Sequence, residues 1–137
     1  MKLFFDTSAI AKRYIYEKGS EDIEKLLYAA DEVCISMIAI SEIFSALNRL
    51  IREKKILRDQ YNSIKKAIYV DVSEFSICNI TPEIIESSIF FLEKSPLKAM
   101  DSIQLACAFK MNIDTFISSD RKQIEAAKNI GLNVLKI

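Results

Sequence analysis

The 137-residue chain contains no histidine and no tryptophan, only two glycines and two prolines, and three cysteines. The absence of histidine excludes Ser-His-Asp and Cys-His catalysis, imidazole base chemistry and the usual zinc sites at one stroke. Catalysis here would have to rest on carboxylates, hydroxyls, Lys, Arg or a bound metal. Scarce Gly and Pro rule out a long flexible linker or a low-complexity segment. With Gly19 and Gly131 alone in the chain, no Gly-rich phosphate loop exists. Cys34, Cys78 and Cys107 are widely spaced among apolar residues, which reads as buried free thiols in a reducing cytoplasm. No apolar run approaches the ~18 residues that span a bilayer. The start Met1-Lys2-Leu3-Phe4-Phe5-Asp6 meets an acid too early for a signal peptide. The expectation is a cytoplasmic protein without a membrane partner.

No sign of charge dominates either: 19 basic residues balance 19 acidic ones. That gives no general pull toward nucleic acid or membrane, but leaves room for a local basic patch. Half of the residues are hydrophobic, enough for one globular domain spanning residues 1–137 with a sizeable core.

What is present is a regular alternation of short apolar runs and amphipathic stretches. Leu3-Phe4-Phe5, Val33-Cys34-Ile35-Ser36, Thr115-Phe116-Ile117-Ser118 and the terminal run from Asn133 read as strands, with Ser76 to Ile80 as a further one. Helical periodicity covers residues 8–17, a stretch from Ser20, and residues 38–54, 58–70, 82–94, 99–111 and 120–129. Thr81 followed by Pro82 marks a helix start, and Gly131 a left-handed helix end. Strands interleaved with helices imply an α/β domain, a mostly parallel sheet of four or five strands with helices on both faces.

Four carboxylates hold comparable places in this pattern. Asp6 follows the first strand, Glu42 lies one turn into the helix after the second, and Asp120 follows the strand ending at Ser118. In a parallel sheet these positions share the C-terminal edge, where open α/β sheets put their chemistry. Asp101 begins the helix after Pro96, and its approach to the others is inferred rather than forced. Each acid also has a plainer reading. Asp6 and Asp120 could cap the helices they precede; Asp101 could serve a helix dipole; Glu42 could be a solvated helical residue, although Ala39 and Ala46 leave room beside it. Four acids at one edge would repel one another and raise their pKa values. A hard divalent cation resolves that conflict, and oxygen-only ligands select Mg²⁺ or Mn²⁺ over Zn²⁺. The chemistry implied is phosphodiester hydrolysis. Other acidic motifs fit worse. Ser8 stands where haloacid dehalogenase-type phosphotransferases need a second Asp, and Ile10 where the metal-dependent adhesion motif needs Ser.

On these segments the chain resembles the PIN-domain nucleases, and more narrowly the VapC-type toxins of toxin–antitoxin pairs. The resemblance rests on Leu3-Phe4-Phe5-Asp6-Thr7-Ser8-Ala9, on Ile40-Ser41-Glu42-Ile43, on the run Leu97 to Ala106 around Asp101, and on Phe116-Ile117-Ser118-Ser119-Asp120, in order and over nearly the whole chain. It implies a PIN-like three-layer α/β/α fold and a metal-dependent endoribonuclease using Mg²⁺ or Mn²⁺. It also implies a homodimer held inactive by a cognate antitoxin. By position, Asp6, Glu42, Asp101 and Asp120 would form the acidic metal site. Ser118 would buttress it by hydrogen bonding; Ser8 would do so or simply start a helix. Gln104 stands where many relatives carry His, a departure expected to leave metal binding unchanged and to alter a substrate contact or a neighbouring hydrogen bond. Candidate phosphate contacts are Lys12, Arg13, Arg49, Arg52, Lys98 and Arg121, with Lys98 and Arg121 favoured as neighbours of Asp101 and Asp120. The alternatives are a catalytically silent RNA- or protein-binding module and a structure-specific DNA nuclease. Tyr14, Tyr16 and Tyr28 belong either to the core or to a dimer face.

Overall fold

Five strands form one sheet in the computed structural model, which describes residues 1–137. In chain order the elements are β1 (Lys2–Phe5), α1 (Thr7–Ile10), a 3-10 turn (Ala11–Arg13), α2 (Ser20–Ala29), β2 (Glu32–Ser36), α3 (Met37–Arg52) and α4 (Arg58–Glu74). Then follow β3 (Ser76–Cys78), α5 (Pro82–Lys94), α6 (Ala99–Lys110), β4 (Thr115–Ser118), α7 (Arg121–Asn129) and β5 (Val134–Lys136). The sheet order is β3-β2-β1-β4-β5 and every pairing is parallel. All strand C-termini therefore face one way. The order reverses direction at β1, so β1 and its neighbours β2 and β4 make the crevice where an open α/β sheet holds ligands.

Strand alternation divides the core in two. Leu3, Phe5, Ile35 and Ile117 face one side and pack with Ala9, Ile23, Ile43, Leu47 and Ile68 from α1 to α4. Phe4, Cys34 and Phe116 face the other and pack with Ile84, Phe91, Leu105 and Ala127 from α5 to α7. Phe4 and Phe116 are register partners and stack with ring centroids 5.7 Å apart. The result is the expected three-layer α/β/α arrangement.

Thr81 caps α5, with Pro82 in its first turn, and Gly131 takes the left-handed conformation after α7, at φ 87°. The helix expected over 8–17 stops early, with its 3-10 turn ending at Arg13. Ile15 does supply an apolar contact to the core, which is why the spacing looked helical. One local and one long-range anchor end the helix instead. Lys12 donates to Glu17 Oε1 and to the Lys18 carbonyl, both at 2.9 Å. Arg13 turns toward α4, where its Nε lies 2.6 Å from Asp71 Oδ2. The helix expected over 58–70 runs four residues further, to Glu74, and so places Asp71 for that contact. Tyr16 and Tyr28 are 81% and 95% exposed and do not belong to the core. Tyr14 is half-buried and its hydroxyl donates to Asp71 Oδ2 at 2.8 Å. The three thiols are buried and free; burial pushes Cys107 up to about 12 and Cys34 to about 11, which leaves both thiols protonated at neutral pH. No helix is long and apolar enough to cross a membrane.

Candidate active site

β1 ends at Phe5, and Asp6 continues its ladder by donating its backbone N–H to the Ile117 carbonyl at 3.0 Å. The chain then turns into α1, and Asp6 caps it: Oδ1 accepts from the Ala9 N–H at 3.0 Å. The same oxygen accepts from the Ser8 hydroxyl at 2.6 Å, and Oδ2 accepts from the Ser118 hydroxyl at the end of β4. Ser118 Oγ in turn accepts the Asp120 N–H at 3.0 Å. Ser8 Oγ accepts the Ser119 N–H, also at 3.0 Å. Asp120 caps α7 through Oδ1, which accepts from the Gln123 N–H at 3.0 Å. The plain capping reading of Asp6 and Asp120 is therefore correct as far as it goes. Each carboxylate still faces the same cavity.

That cavity, about 250 Å³, is lined by Asp6, Thr7, Ser8, Glu42, Asp101, Gln104, Asp120 and Gln123. All four acids reach it: Asp6 from the end of β1, Glu42 from the second turn of α3, Asp101 from the first turn of α6, and Asp120 from the turn after β4. Asp6 is 3% exposed. Burial raises its carboxyl to about 6, against the three hydrogen bonds from Ser118, Ser8 and Ala9, and the Asp120 charge adds to the rise. Asp101 is also raised, by burial first and then by the charges of Asp120 and Glu42. Three of the acids sit at helix N-termini, where the peptide dipoles favour negative charge. That offset is partial, since Asp6 and Asp101 remain raised.

Glu42 is held by two residues outside the acid set, Thr7 and Gln104. Its Oε1 accepts from the Thr7 hydroxyl at 2.7 Å and from Gln104 Nε2 at 3.0 Å, and Gln104 Nε2 also reaches Thr7 Oγ1 at 2.7 Å. Gln104 thus ties α6 to both Glu42 and Thr7. Gln123 Nε2 donates to the Asp101 carbonyl at 3.0 Å, joining α7 to the start of α6. Thr7 was legible as part of the Asp6-Thr7-Ser8 run. The signal for Gln123 was fainter: an amide on the buried side of α7, beside Ile124 and Ala127.

The basic candidates divide sharply. Lys12 is 8% exposed and clasped by Glu17 and the Lys18 carbonyl, so it contacts no phosphate. Arg13 is spent on Asp71 and Glu24. Arg49 and Arg52 lie in the last turn of α3, two turns and more beyond Glu42, and line neither this cavity nor the next. Lys98 and Arg121, with Lys122, line an open groove of about 950 Å³ that shares Glu42, Asp101 and Asp120 with the acid cavity.

The donor set fits a hard divalent cation: carboxylates and neutral oxygens only, two of the acids raised in part by their neighbours, and two buried glutamine oxygens without a donor in the protein. In this structure no three of these acids form a group arranged to hold a metal ion.

Comparison with known proteins adds three findings. The family model for the PIN domain matches residues 3–129. No curated protein matches. Among solved structures, FitAcB from Neisseria gonorrhoeae is similar with a TM-score of 0.76 at 15% identity, over 98% of this chain and 96% of that one. VapC20 of Mycobacterium tuberculosis, described as a sarcin–ricin loop cleaving toxin, is similar with a TM-score of 0.73 at 16% identity, over 99% and 100%. A toxin–antitoxin complex from Klebsiella pneumoniae gives a TM-score of 0.70 at 20% identity, over 99% and 100%.

Proposed function

The chain belongs to the PIN domain family, and from that premise we propose that it is a metal-dependent endoribonuclease acting as the toxin of a toxin–antitoxin pair. The observation that carries the proposal is the meeting of Asp6, Glu42, Asp101 and Asp120 in one cavity that shares three of them with a groove bearing Lys98, Arg121 and Lys122.

A phosphodiester brought to four bare carboxylates is repelled. Asp6, Glu42, Asp101 and Asp120 would hold a divalent cation, Mg²⁺ or Mn²⁺, which neutralises phosphate charge and lowers the pKa of water when bound. The protein's own contribution is positional. Ser118 and Ser8 fix both oxygens of Asp6, and Thr7 and Gln104 fix one oxygen of Glu42. An acid not engaged by the cation orients the attacking water. Lys98 and Arg121 meet flanking phosphates in the groove, where Arg121 Nε pairs with the exposed Glu125 at 3.0 Å, a surface bond that is readily exchanged.

The partners proposed are an RNA substrate, a cognate antitoxin and a second copy of the chain. Structures of similar fold are toxin–antitoxin complexes, which supports the antitoxin. For the homodimer, α5 offers Ile85, Ile89, Phe90 and Leu92, all at least 38% exposed, beside the exposed Phe109 of α6. Purified protein incubated with labelled RNA should cleave it in Mg²⁺ or Mn²⁺, stop on addition of EDTA, and leave duplex and junction DNA intact. Cleavage undiminished by EDTA would refute the metal site, and preferential cutting of DNA junctions would favour the DNA nuclease. Absence of cleavage under all metals would leave a silent binding module.

A further inference from the structure

The open groove beside the acid cavity has an apolar part that phosphate binding does not use. Its lining comes from two segments, residues 96–101 and 119–122, together with Glu42. Gln123 Nε2 donates to the Asp101 carbonyl at 3.0 Å, which ties α7 to the end of the first segment. Lys98, Arg121 and Lys122 are exposed and supply positive charge. Pro96, Leu97, Ala99 and Met100 line the same groove and are apolar.

Met100 stands one residue before Asp101 in the first turn of α6 and is 46% exposed. Of the chain's large exposed apolar side chains, it is the one that lines the groove or the acid cavity. Leu97 is half-buried, because it also packs against the core on that face. A single methionine on a surface is ordinary. An apolar run between a lysine and a site carboxylate, in a groove with two further cations, calls for a ligand with both chemistries.

A nucleotide has both, an anionic phosphate and a flat, weakly polar base face. The groove's volume of about 950 Å³ has room for one nucleotide and its flanking phosphates. No aromatic ring lines the groove, so the base contact falls to Met100, whose polarizable sulfur is well suited to a π-face. A base stacked and paired in a duplex has its faces covered, so only an unpaired one can use such a surface. An apolar segment of a protein partner would use the methionine but leave the three cations idle.

Resting on the ribonuclease reading above, we infer that Leu97 and Met100 form a base-binding shelf, with Met100 a specificity-determining residue that holds one unpaired base of the RNA beside the phosphate addressed by the acids.

Two measurements test the shelf, one of them independent of cleavage. Single-stranded oligoribonucleotides carrying 5-iodouridine, irradiated with Asp6→Asn protein to spare the RNA, should crosslink to the peptide that contains Met100. In cleavage assays, replacing the base beside the cut with an abasic sugar should lower kcat/KM by about tenfold, the scale of one good sulfur–base contact. Met100→Ser should do the same on intact RNA and add little on the abasic RNA, since both changes remove one contact. It should also melt like the wild type, and Met100→Leu should restore most of the rate. Crosslinks confined to other surfaces overturn the shelf, as does a Met100→Ser defect equal on intact and abasic RNA; EDTA-sensitive cleavage would still uphold the ribonuclease reading. Unchanged cleavage in Met100→Ser overturns it too and leaves the apolar run to a protein partner. Crosslinking at Met100 without cleavage in any metal keeps the shelf and ends the ribonuclease reading. RNA that is neither crosslinked nor cut ends both.

Discussion

Around Arg13 opposite charges are matched; around Asp6 like charges are crowded. Arg13 forks onto both oxygens of Asp71, at 2.6 and 3.1 Å, and onto both of Glu24 at 3.0 Å. The Tyr14 hydroxyl completes Asp71, and burial together with Asp71 pushes that phenol's pKa upward. This cluster ties the turn after α1 to α2 and α4, and each partner lowers the cost of burying the others. The acid cavity does the reverse: Asp6 is more deeply buried, yet the neighbouring charge of Asp120 shares its sign. One cluster stabilises the fold unaided, while the other is stable only to the extent that protons or a cation enter it. Buried polarity therefore has two meanings here, and the sign of the neighbouring charges separates them.

The comparison breaks most visibly on activity. Asp6→Asn should lower RNA cleavage by about 10³-fold or more, the scale of losing a preorganised charge-stabilising element, while circular dichroism shows an intact fold. Asp71→Asn, in the matched cluster, should leave kcat within a few-fold of wild type. A cleavage rate in Asp6→Asn near the wild-type value would remove Asp6 from the site.

Stability against pH comes next in size. Asp6 rises from an ordinary 3.8 to about 6 in the folded protein, so between those values the folded chain holds more protons than the unfolded one. Stability must then fall as pH climbs from about 4 through about 6, by up to roughly 3 kcal/mol for this group. Urea denaturation in EDTA should show that decline, and Asp6→Asn should flatten it and be the more stable protein at pH 8. Saturating Mg²⁺ should cancel much of the difference by binding only the folded wild type. An increase of metal-free stability from pH 4 to pH 7, identical in both proteins, would contradict the crowding.

The matched cluster predicts the opposite sign. Asp71→Ala removes the partner of Arg13 and Tyr14 together. With the Asp71 side chain 14% exposed and Arg13 30% exposed, solvent softens the loss to about 2 kcal/mol at pH 7. Thermal melts with and without Mg²⁺ should show the same deficit, because nothing in this cluster waits for a cation.

The two clusters were also unequally legible in the sequence. Asp6, Glu42 and Asp120 could be placed because short apolar runs mark parallel strands, and parallel strands end on one side. Asp101 could be aligned only by resemblance, since no strand leads directly into α6. The matched cluster was invisible. Arg13 and Asp71 are 58 residues apart, and no local pattern pairs them. The same contact stopped the first helix short while Tyr14 and Ile15 kept a helical spacing. Lys12 looked like a free surface cation for a different reason, its acceptors being a nearby side chain and a carbonyl presented by the turn it helps form. Gln104 and Gln123 needed coordinates, because what singles them out is a bond each does not make.

Ser118 gives the finest test, since it stands between capping and crowding. Its hydroxyl donates to Asp6 Oδ2 and its oxygen accepts the Asp120 N–H. Of the hydrogen bonds holding Asp6 toward the ionised form, this one counts most. Ser118→Ala should therefore raise the Asp6 carboxyl further above 6 and cost about 1 kcal/mol at pH 8, where that carboxyl is charged. At pH 4.5 the carboxyl is largely protonated and the cost should shrink. Cleavage should weaken most below neutrality and recover as pH rises, because protons compete with the cation for the same oxygens. Ser118→Thr keeps the hydroxyl and should restore the profile if the fully buried site admits its methyl group. An acidic limb of the pH–rate curve that stays in place in Ser118→Ala would mean that Asp6 does not govern it.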